Sequence, residues 1–251
     1  TPGAWPTAQH ARTMLLLDNC VQDAMAPAID AAAARVLDRA GITLKRVAAG
    51  GCCGALSHHL NEHAAAVERV RANIDAWWPH VEAGAEAIVG TASGCTVMLK
   101  DYGHFMQHDA SYADRAARIA ALSKDVSEVV AAVWPEVKGR LKTASATIAY
   151  HPPCTLQHGM KLKGGVEALL RDMGFALAPV ADSHLCCGSA GTYSVLQPGI
   201  SNELKTRKLN ALTAGAPTQI ATANIGCMTH LQSGTDLPVK ANGATVYVSQ
   251  N

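Results

Sequence analysis

Eight cysteines are the residues of this sequence most able to do chemistry, and their spacing is regular. Cys52 follows Cys20 by 32 positions, and Cys186 follows Cys154 by the same 32 positions. Each span ends at a Cys-Cys-Gly triplet, and one further cysteine follows each triplet about 40 residues later. The matched spacing indicates an internal repeat with a period of 134 residues rather than eight scattered buried thiols. The complete set is Cys20, Cys52, Cys53, Cys95, Cys154, Cys186, Cys187 and Cys227.

This cysteine pattern is typical of metal or iron–sulfur ligation rather than of a disulfide framework. Disulfide-dense secreted chains are short and follow an export signal, whereas this chain has 251 residues and we expect no signal peptide in its opening segment. Four thiolates suit Zn²⁺ and iron–sulfur clusters equally well, so the residue types leave both open. A vicinal cysteine pair that cycles between thiol and disulfide is a third hypothesis.

The elements that must position the cysteines alternate between strand and helix. Short apolar runs typical of buried strands occur at residues 13–18, 42–47 and 87–89, and again at 146–150, 175–180 and 219–222. The alternation predicts an α/β fold of two pseudo-symmetric repeats, each a mainly parallel sheet flanked by helices, with the cysteines on strand-to-helix loops. Because such loops converge outside the carboxyl ends of parallel strands, we expect the sulfurs of each repeat to meet at one point.

Domain boundaries follow from the repeat. We assign the first repeat to residues 13–107, the second to 144–238, and a helical linker to 108–143, with Ser123 as the N-cap of a linker helix.

The balance of 21 Lys+Arg against 20 Asp+Glu argues against nucleic-acid binding. No apolar run reaches the roughly 18–20 residues of a membrane span, so we expect only indirect membrane contact. The sequence contains no Gly-x-Gly-x-x-Gly fingerprint, so we expect no nucleotide or flavin site in this chain.

Several segments of both repeats resemble the cysteine-rich CCG domain. This domain occurs in duplicate in heterodisulfide reductases and in iron–sulfur subunits of lactate and glycolate oxidases, and the resemblance is to the glycolate oxidase subunits in particular. It covers roughly residues 13–238. The segments that carry it include Gly51-Cys52-Cys53-Gly54-Ala55-Leu56, Trp77-Trp78-Pro79, His151-Pro152-Pro153-Cys154, Cys186-Cys187-Gly188 and Cys227-Met228-Thr229-His230-Leu231.

The resemblance implies an oxidoreductase subunit that relays electrons from a flavin-bearing partner towards the membrane quinone pool. The hydride chemistry would lie with that partner, and the complex would be cytoplasmic or peripheral at the inner face of the cell membrane. The eight cysteines would hold clusters of the [4Fe–4S] type. Two alternatives stay open: a structural zinc-binding docking module of such a complex, and a thiol–disulfide reductase of the heterodisulfide type. The family's ferredoxin-like region with Cys-x2-Cys-x2-Cys-x3-Cys-Pro motifs has no counterpart in this sequence.

Two positions depart from the heterodisulfide reductase pattern. Where those reductases continue with Cys-x-x-Cys, this sequence has Met98 and His230. A four-cysteine site that holds zinc or a cubane cluster therefore fits these residues better than a non-cubane cluster, with His230 as a further candidate metal ligand. His151 and His184 lie near the second group of cysteines in sequence, where we expect them to act as hydrogen-bonding neighbours of the ligands.

Overall fold

The computed structural model describes residues 3–140 and 146–241 of the chain. The chain divides into two compact units, Thr1–Val133 and Trp134–Asn251. Each unit contains one four-stranded sheet, and every strand pairing among the described residues is parallel. The predicted α/β class with two repeated parallel sheets is confirmed.

The first sheet places its most apolar strand in an inner position. It consists of β1 (Arg12–Leu16), β2 (Ile42–Arg46), β3 (Ile88–Gly90) and β4 (Ser123–Asp125) in the order β2-β1-β3-β4. In β1, Leu15 and Leu16 are buried although they point to opposite faces of the sheet. A continuous apolar run is what a strand covered on both faces requires.

Helices of the first unit cover the sheet through apolar stripes. Along the long helix α4 (His63–Glu82), Val70, Ile74 and Trp77 recur at helical spacing and are all fully buried in the core. No helix among the described residues combines the length and apolarity needed to cross a lipid bilayer. The helices are α1 (Cys20–Met25), α2 (Ala28–Arg39), α3 (Ala55–His59), α4 (His63–Glu82), α5 (Ser93–Lys100), α6 (Tyr102–Phe105), α7 (Ala113–Leu122) and α8 (Val126–Val137).

The second unit repeats the same strand order. Its strands are β5 (Thr147–His151), β6 (Ala176–Leu177), β7 (Gln219–Thr222) and β8 (Val239–Ala241). Their order is β6-β5-β7-β8, the counterpart of β2-β1-β3-β4. Leu212, Ile220 and Leu231 form the centre of its core. The elements are a 3-10 turn (Lys138–Arg140), β5 (Thr147–His151), a π-helical turn (Thr155–Gly159), α9 (Gly165–Asp172), β6 (Ala176–Leu177), α10 (Tyr193–Leu196), α11 (Pro198–Thr213), β7 (Gln219–Thr222), α12 (Ile225–Gln232) and β8 (Val239–Ala241).

The segment predicted as a helical linker contributes a strand to the first sheet. Ser123 lies in β4, so its predicted role as an N-cap is wrong, and Asp125 caps α8 instead. The amide of Ser127 donates to Asp125 Oδ1 at 2.9 Å, and the amide of Asp125 donates to Glu128 Oε2 at 2.8 Å. This reciprocal pairing is a capping box, which an Asp supports as well as a Ser. Residues 141–143 of the predicted linker lie outside the described residues.

Candidate metal centres

The cysteines of the first repeat, here called the first cysteine set, lie at the carboxyl ends of three neighbouring strands. Cys20 is the first residue of α1 and follows β1. Cys52 and Cys53 lie in the loop between β2 and α3, and Cys95 lies in the first turn of α5 after β3. Because β2, β1 and β3 are adjacent and parallel, these loops share one edge of the sheet. The fold thus carries the four thiols to one region.

The four thiols of the first cysteine set form an unbroken series of contacts. The Sγ atoms of Cys20 and Cys52 lie 3.5 Å apart, and the side chain of Cys53 hydrogen-bonds to those of Cys52 and Cys95. Cys20 is exposed and Cys53 is buried, so one end of the series reaches solvent. Among the described residues of this repeat, no three candidate ligand atoms all lie within 4.8 Å of one another. The described sulfurs of this set are therefore joined in pairs, with no three of them close together.

Buried hydrogen bonds hold the backbone of the first Cys-Cys pair. Asn73 Oδ1 accepts from the amide of Gly51 at 2.8 Å, and Asn73 Nδ2 donates to the carbonyl of Cys52 at 3.0 Å. Asn73 Nδ2 also donates to the hydroxyl of Tyr102 at 3.1 Å, and that hydroxyl donates to the carbonyl of Cys53 at 2.9 Å. Asn73 and Tyr102 are both buried, so these bonds are shielded from competing water. They fix the direction in which both thiols project.

Replacing Tyr102 with phenylalanine is expected to destabilise the first unit by about 1–2 kcal/mol, since the carbonyl of Cys53 loses its donor in a buried position. The free energy of unfolding in urea, measured with the thiols reduced, checks this value. Tyr112→Phe is the matched control, because the hydroxyl of Tyr112 bonds to Asp75 in an exposed position, where we expect a change below about 0.5 kcal/mol. Equal effects of the two substitutions would contradict the structural role given to Tyr102.

A second buried network anchors the start of α1. Asn19 Nδ2 and Gln22 Nε2 donate to Thr91 Oγ1 at 2.9 and 2.6 Å, and Thr91 Oγ1 donates to Asp30 Oδ1 at 2.5 Å. Gln22 Nε2 also lies 2.9 Å from Asp30 Oδ1, and Arg46 Nη2 donates to Asp30 Oδ2 at 3.1 Å. The residues on both sides of the first cysteine are therefore tied to α2 and to the end of β3.

The burial of Asp30 predicts a pH-dependent stability. Desolvation raises the pKa of this carboxyl from 3.8 to about 7, although the hydrogen bond from Thr91 lowers it. The folded state then binds more protons than the unfolded state between these values, so the unfolding free energy falls as the pH rises from 4 to 7, by roughly 2–4 kcal/mol. Asp30→Asn should flatten this slope in urea titrations at several pH values, whereas Asp75→Asn at an exposed carboxyl should not. An unchanged slope in Asp30→Asn would exclude Asp30 as its source.

The second cysteine set occupies the matching places in the second sheet. Cys154 follows β5 and caps the π-helical turn, while Cys186 and Cys187 lie in the loop between β6 and α10. Cys227 lies in the first turn of α12, directly after β7. The strands β6, β5 and β7 are adjacent and parallel, so these thiols also share one edge of the sheet.

The thiols of the second cysteine set are also joined in series, but part of the set is more compact. Cys154 hydrogen-bonds to Cys186, and Cys187 hydrogen-bonds to both Cys186 and Cys227. One ligand atom each of His151, Cys187 and Cys227 lies within 4.8 Å of the other two, and all three residues are buried. The compact group therefore contains two sulfurs and an imidazole nitrogen. The sequence alone predicts only a neighbouring role for this histidine.

Hydrogen bonds divide the second cysteine set into proton donors and acceptors. Hydrogen bonding to Cys186, followed by burial, raises the pKa of Cys154, and hydrogen bonding to Cys186 and Cys227 raises the pKa of Cys187. The hydrogen bond from Cys187 lowers the pKa of Cys227 to about 6 despite its burial, with a further contribution from His151. Hydrogen bonds from Cys154 and Cys187 lower the pKa of Cys186. These interactions favour the thiolate form of Cys186 and Cys227, which is the form that binds metal.

The first cysteine set retains more of its protons. The hydrogen bond to Cys53, followed by burial, raises the pKa of Cys52. The hydrogen bond from Cys52 lowers the pKa of Cys53, but hydrogen bonding to Cys95 and burial outweigh it and raise that pKa to about 12. Burial, and then the hydrogen bond to Cys52, raises the pKa of Cys20. A metal bound here must displace these protons, so its binding tightens as the pH rises.

The loop that carries the second Cys-Cys pair is held by α11. Lys208 Nζ donates to the carbonyls of Asp182 and Ser183 at 3.0 and 2.9 Å, and Ser201 Oγ donates to the carbonyl of Gly188 at 2.8 Å. His230 Nε2 lies 3.1 Å from Ser201 Oγ. His230, the further candidate ligand from sequence, therefore packs on α11 and lies outside the compact group, while His184 is exposed.

The two sets differ in the metal geometry that they suit. A single tetrahedral zinc ion with Zn–S bonds of about 2.3 Å brings its sulfurs to about 3.8 Å from one another. Among the described residues of the first repeat, Cys20 and Cys52 come this close, but no three ligand atoms lie within 4.8 Å of one another. An iron–sulfur cluster, in contrast, distributes its cysteines over several irons. The compact group of the second cysteine set comes nearer to the spacing around a single ion.

Comparison with known proteins places both repeats in one family. The family profile of the cysteine-rich domain CCG matches residues 14–100 and again residues 148–232. Each match contains one complete cysteine set and the three strands that carry it.

Curated relatives cover the same region. The chain is 48% identical over 231 residues to the glycolate oxidase iron-sulfur subunit of Escherichia coli, which covers 91% of this chain and 56% of the relative. It is 27% identical over 228 residues to the probable glycolate oxidase iron-sulfur subunit of Bacillus subtilis, covering 90% and 50%. It is 25% identical over 217 residues to the lactate utilization protein A of an Exiguobacterium species, covering 86% and 87%. The chain thus spans about half the length of the two glycolate oxidase relatives.

Proposed function

Because this chain belongs to the cysteine-rich CCG domain family, we propose that it is an iron–sulfur, electron-relaying part of a glycolate-oxidase-like complex. The observation that carries the proposal is the pair of cysteine sets, each joined by contacts between neighbouring thiols at the carboxyl edge of a parallel sheet. The names of the relatives, which include glycolate oxidase iron-sulfur subunits, support iron as the metal.

The residues present fit the proposed cofactor. Thiolates are soft ligands that favour iron–sulfur clusters and zinc over hard cations. In the first cysteine set Cys20, Cys52, Cys53 and Cys95 would hold one cluster, and in the second set Cys154, Cys186, Cys187 and Cys227 would hold another. A bound cluster supplies one-electron redox chemistry over a wide range of potentials.

The chain's own residues would orient and insulate these centres. Asn73 and Tyr102 hold the first Cys-Cys backbone, and Lys208 and Ser201 hold the loop of the second. Burial of Cys53, Cys187 and Cys227 keeps water from three of the eight ligands, which limits cluster hydrolysis at those sulfurs.

Exposed apolar side chains support a partner at the first centre. Val21 and Met25 on α1, Leu56 on α3 and Leu60 just after α3 are between 37% and 60% exposed, and they follow the exposed Cys20 and the first Cys-Cys pair in sequence. Exposed apolar side chains around a functional group are typical of a protein-docking surface. We propose that a flavin-bearing redox subunit docks here, where its electrons enter close to a sulfur. The complex would lie in the cytoplasm, with membrane contact only through other subunits.

One observation favours a second candidate, a zinc-binding docking module. The compact group of His151, Cys187 and Cys227 resembles the mixed nitrogen and sulfur ligand sets of structural zinc sites. In that case the module would organise the complex without carrying electrons, since zinc has no redox chemistry.

Elemental analysis of the anaerobically purified chain separates the two functions. The proposed function predicts iron and acid-labile sulfide bound to the chain, with a brown colour that dithionite bleaches. Stoichiometric zinc without iron would support the docking module instead. A colourless, metal-free and fully folded chain would contradict both.

A further inference from the structure

His151 is a buried histidine whose ring nitrogens lack well-aligned hydrogen bonds. It is the last residue of β5 and is 1% exposed. Neither Nδ1 nor Nε2 makes a hydrogen bond of acceptable geometry among the described residues, although the ring lies close enough to the thiol of Cys227 to interact with it. Leaving a buried polar atom unsatisfied costs about 1–3 kcal/mol, so two such atoms on one ring call for an explanation.

The surroundings of the ring supply that explanation. A ring nitrogen of His151 lies within 4.8 Å of the Sγ atoms of both Cys187 and Cys227, and these sulfurs lie within the same distance of each other. The three side chains come from separate elements, namely the end of β5, the loop before α10 and the first turn of α12. Such convergence of one nitrogen and two sulfurs in a buried place is the arrangement of a metal site.

The first repeat provides an internal comparison. With the repeat period of 134 residues, the position equivalent to His151 is Leu17, just as Cys20 is equivalent to Cys154. Leu17 is fully buried and cannot bind a metal. Among the described residues, the first repeat also has no group of three close ligand atoms. The presence of the compact group therefore coincides with the presence of the histidine.

We propose that a ring nitrogen of His151 ligates the metal of the second cysteine set, beside Cys187 and Cys227. This inference rests on the proposal that the set binds a metal, and it makes the two centres of the chain chemically different. The first centre has only thiolate ligands, whereas the second has a neutral nitrogen ligand as well. Ligand type and net charge help to set the reduction potential of iron–sulfur centres, so the two centres would differ in potential.

Cobalt titration of the reduced 251-residue chain tests the ligand without requiring an iron–sulfur cluster. The visible ligand-field spectrum of Co²⁺ distinguishes nitrogen from sulfur ligands. His151→Leu, which introduces the residue of the first repeat, should weaken cobalt binding at one of the two sites by more than roughly 100-fold. Loss of a residue that only hydrogen-bonds to a metal ligand lowers metal affinity by about 10–100-fold, so a larger loss indicates a ligand. It should also remove the nitrogen contribution from the spectrum of that site. His151→Cys should restore tight binding with an all-sulfur spectrum.

His158→Leu is the matched control, since His158 belongs to the same unit but is exposed. It should leave both cobalt sites unchanged. If His151→Leu leaves the affinity and spectrum as in the wild type, His151 is not a ligand. If His151→Leu lowers the affinity but the wild-type spectrum shows only sulfur, its role is structural and the proposal is wrong.

Pulsed electron paramagnetic resonance of the iron-loaded chain provides the second measurement. In the reduced protein, a nitrogen coupling should change when histidine is labelled with ¹⁵N and disappear in His151→Leu. A cluster that shows no such coupling in the wild type overturns the inference while leaving the iron–sulfur function intact. Absence of any iron signal overturns the iron–sulfur function, and the cobalt result then decides the role of His151 independently.

Discussion

Anaerobically prepared Cys187→Ser protein is expected to hold about half of the wild-type iron, because Cys187 is central to only one of the two cysteine sets. It contacts Cys186 on one side and Cys227 on the other, and it belongs to the compact group with His151. A serine hydroxyl is a hard and weakly acidic ligand that replaces a thiolate poorly. The second centre should be lost while the first remains, which iron and sulfide determination per folded chain will show.

The reciprocal substitution in the first repeat serves as the control. Cys53 is equally buried and lies between Cys52 and Cys95. Cys53→Ser should remove the other half of the iron, and the double variant should bind none. Loss of all iron in either single variant would contradict two independent centres and would indicate that both sets contribute to one. Unchanged iron in Cys187→Ser would exclude the second cysteine set as a binding site.

The fold could be predicted because the cysteine period and the strand pattern agree. A strand such as Met14-Leu15-Leu16-Leu17 must be covered on both faces, and this condition is met in a parallel sheet with helices on each side. The same pattern recurs 134 residues later, so one repeat predicts the other. The sequence does not reveal β4, because Ser123-Lys124-Asp125 is short and polar and its strand character comes from pairing with β3.

The sequence predicts which loops carry the site, but it does not predict how the side chains are arranged there. Spacing and strand direction indicate that the cysteines of each repeat share one sheet edge, and the structure places them there. The compact group leaves out both Cys154 and Cys186 of the second cysteine set, and this division depends on side-chain directions that the spacing does not contain. From the sequence, His151 is predicted only to hydrogen-bond to the ligands, because its nearness to the second group of cysteines does not show which side chains meet. Alignment of the repeats, which sets His151 against Leu17, is the signal that could have found it.

Replacing Gly188 with alanine should be among the most damaging single changes in the second unit, by about 3–5 kcal/mol. Gly188 follows Cys187 with φ at +91°, in the left-handed region that side chains disfavour. A Cβ at this position would overlap the carbonyl oxygen of Ser201 in α11, and it would lie 3.2 Å from His230 Nε2. The backbone of α11 cannot move away alone, because Ser201 Oγ also bonds to the carbonyl of Gly188.

The equivalent Gly54 of the first repeat isolates the contribution of the clash. Its φ of +87° is nearly the same, but a Cβ there would lie 3.3 Å from the carbonyl oxygen of Ala66, which a small shift relieves. Gly54→Ala should therefore cost only about 1–2 kcal/mol, the penalty of a left-handed alanine. Urea unfolding gives both values, and hydrogen exchange of residues 146–241 shows whether the loss in Gly188→Ala is confined to the second unit. Equal losses of unfolding free energy in the two variants would mean that the left-handed backbone conformation alone causes the destabilisation. A steric clash between residue 188 and α11 would then be excluded.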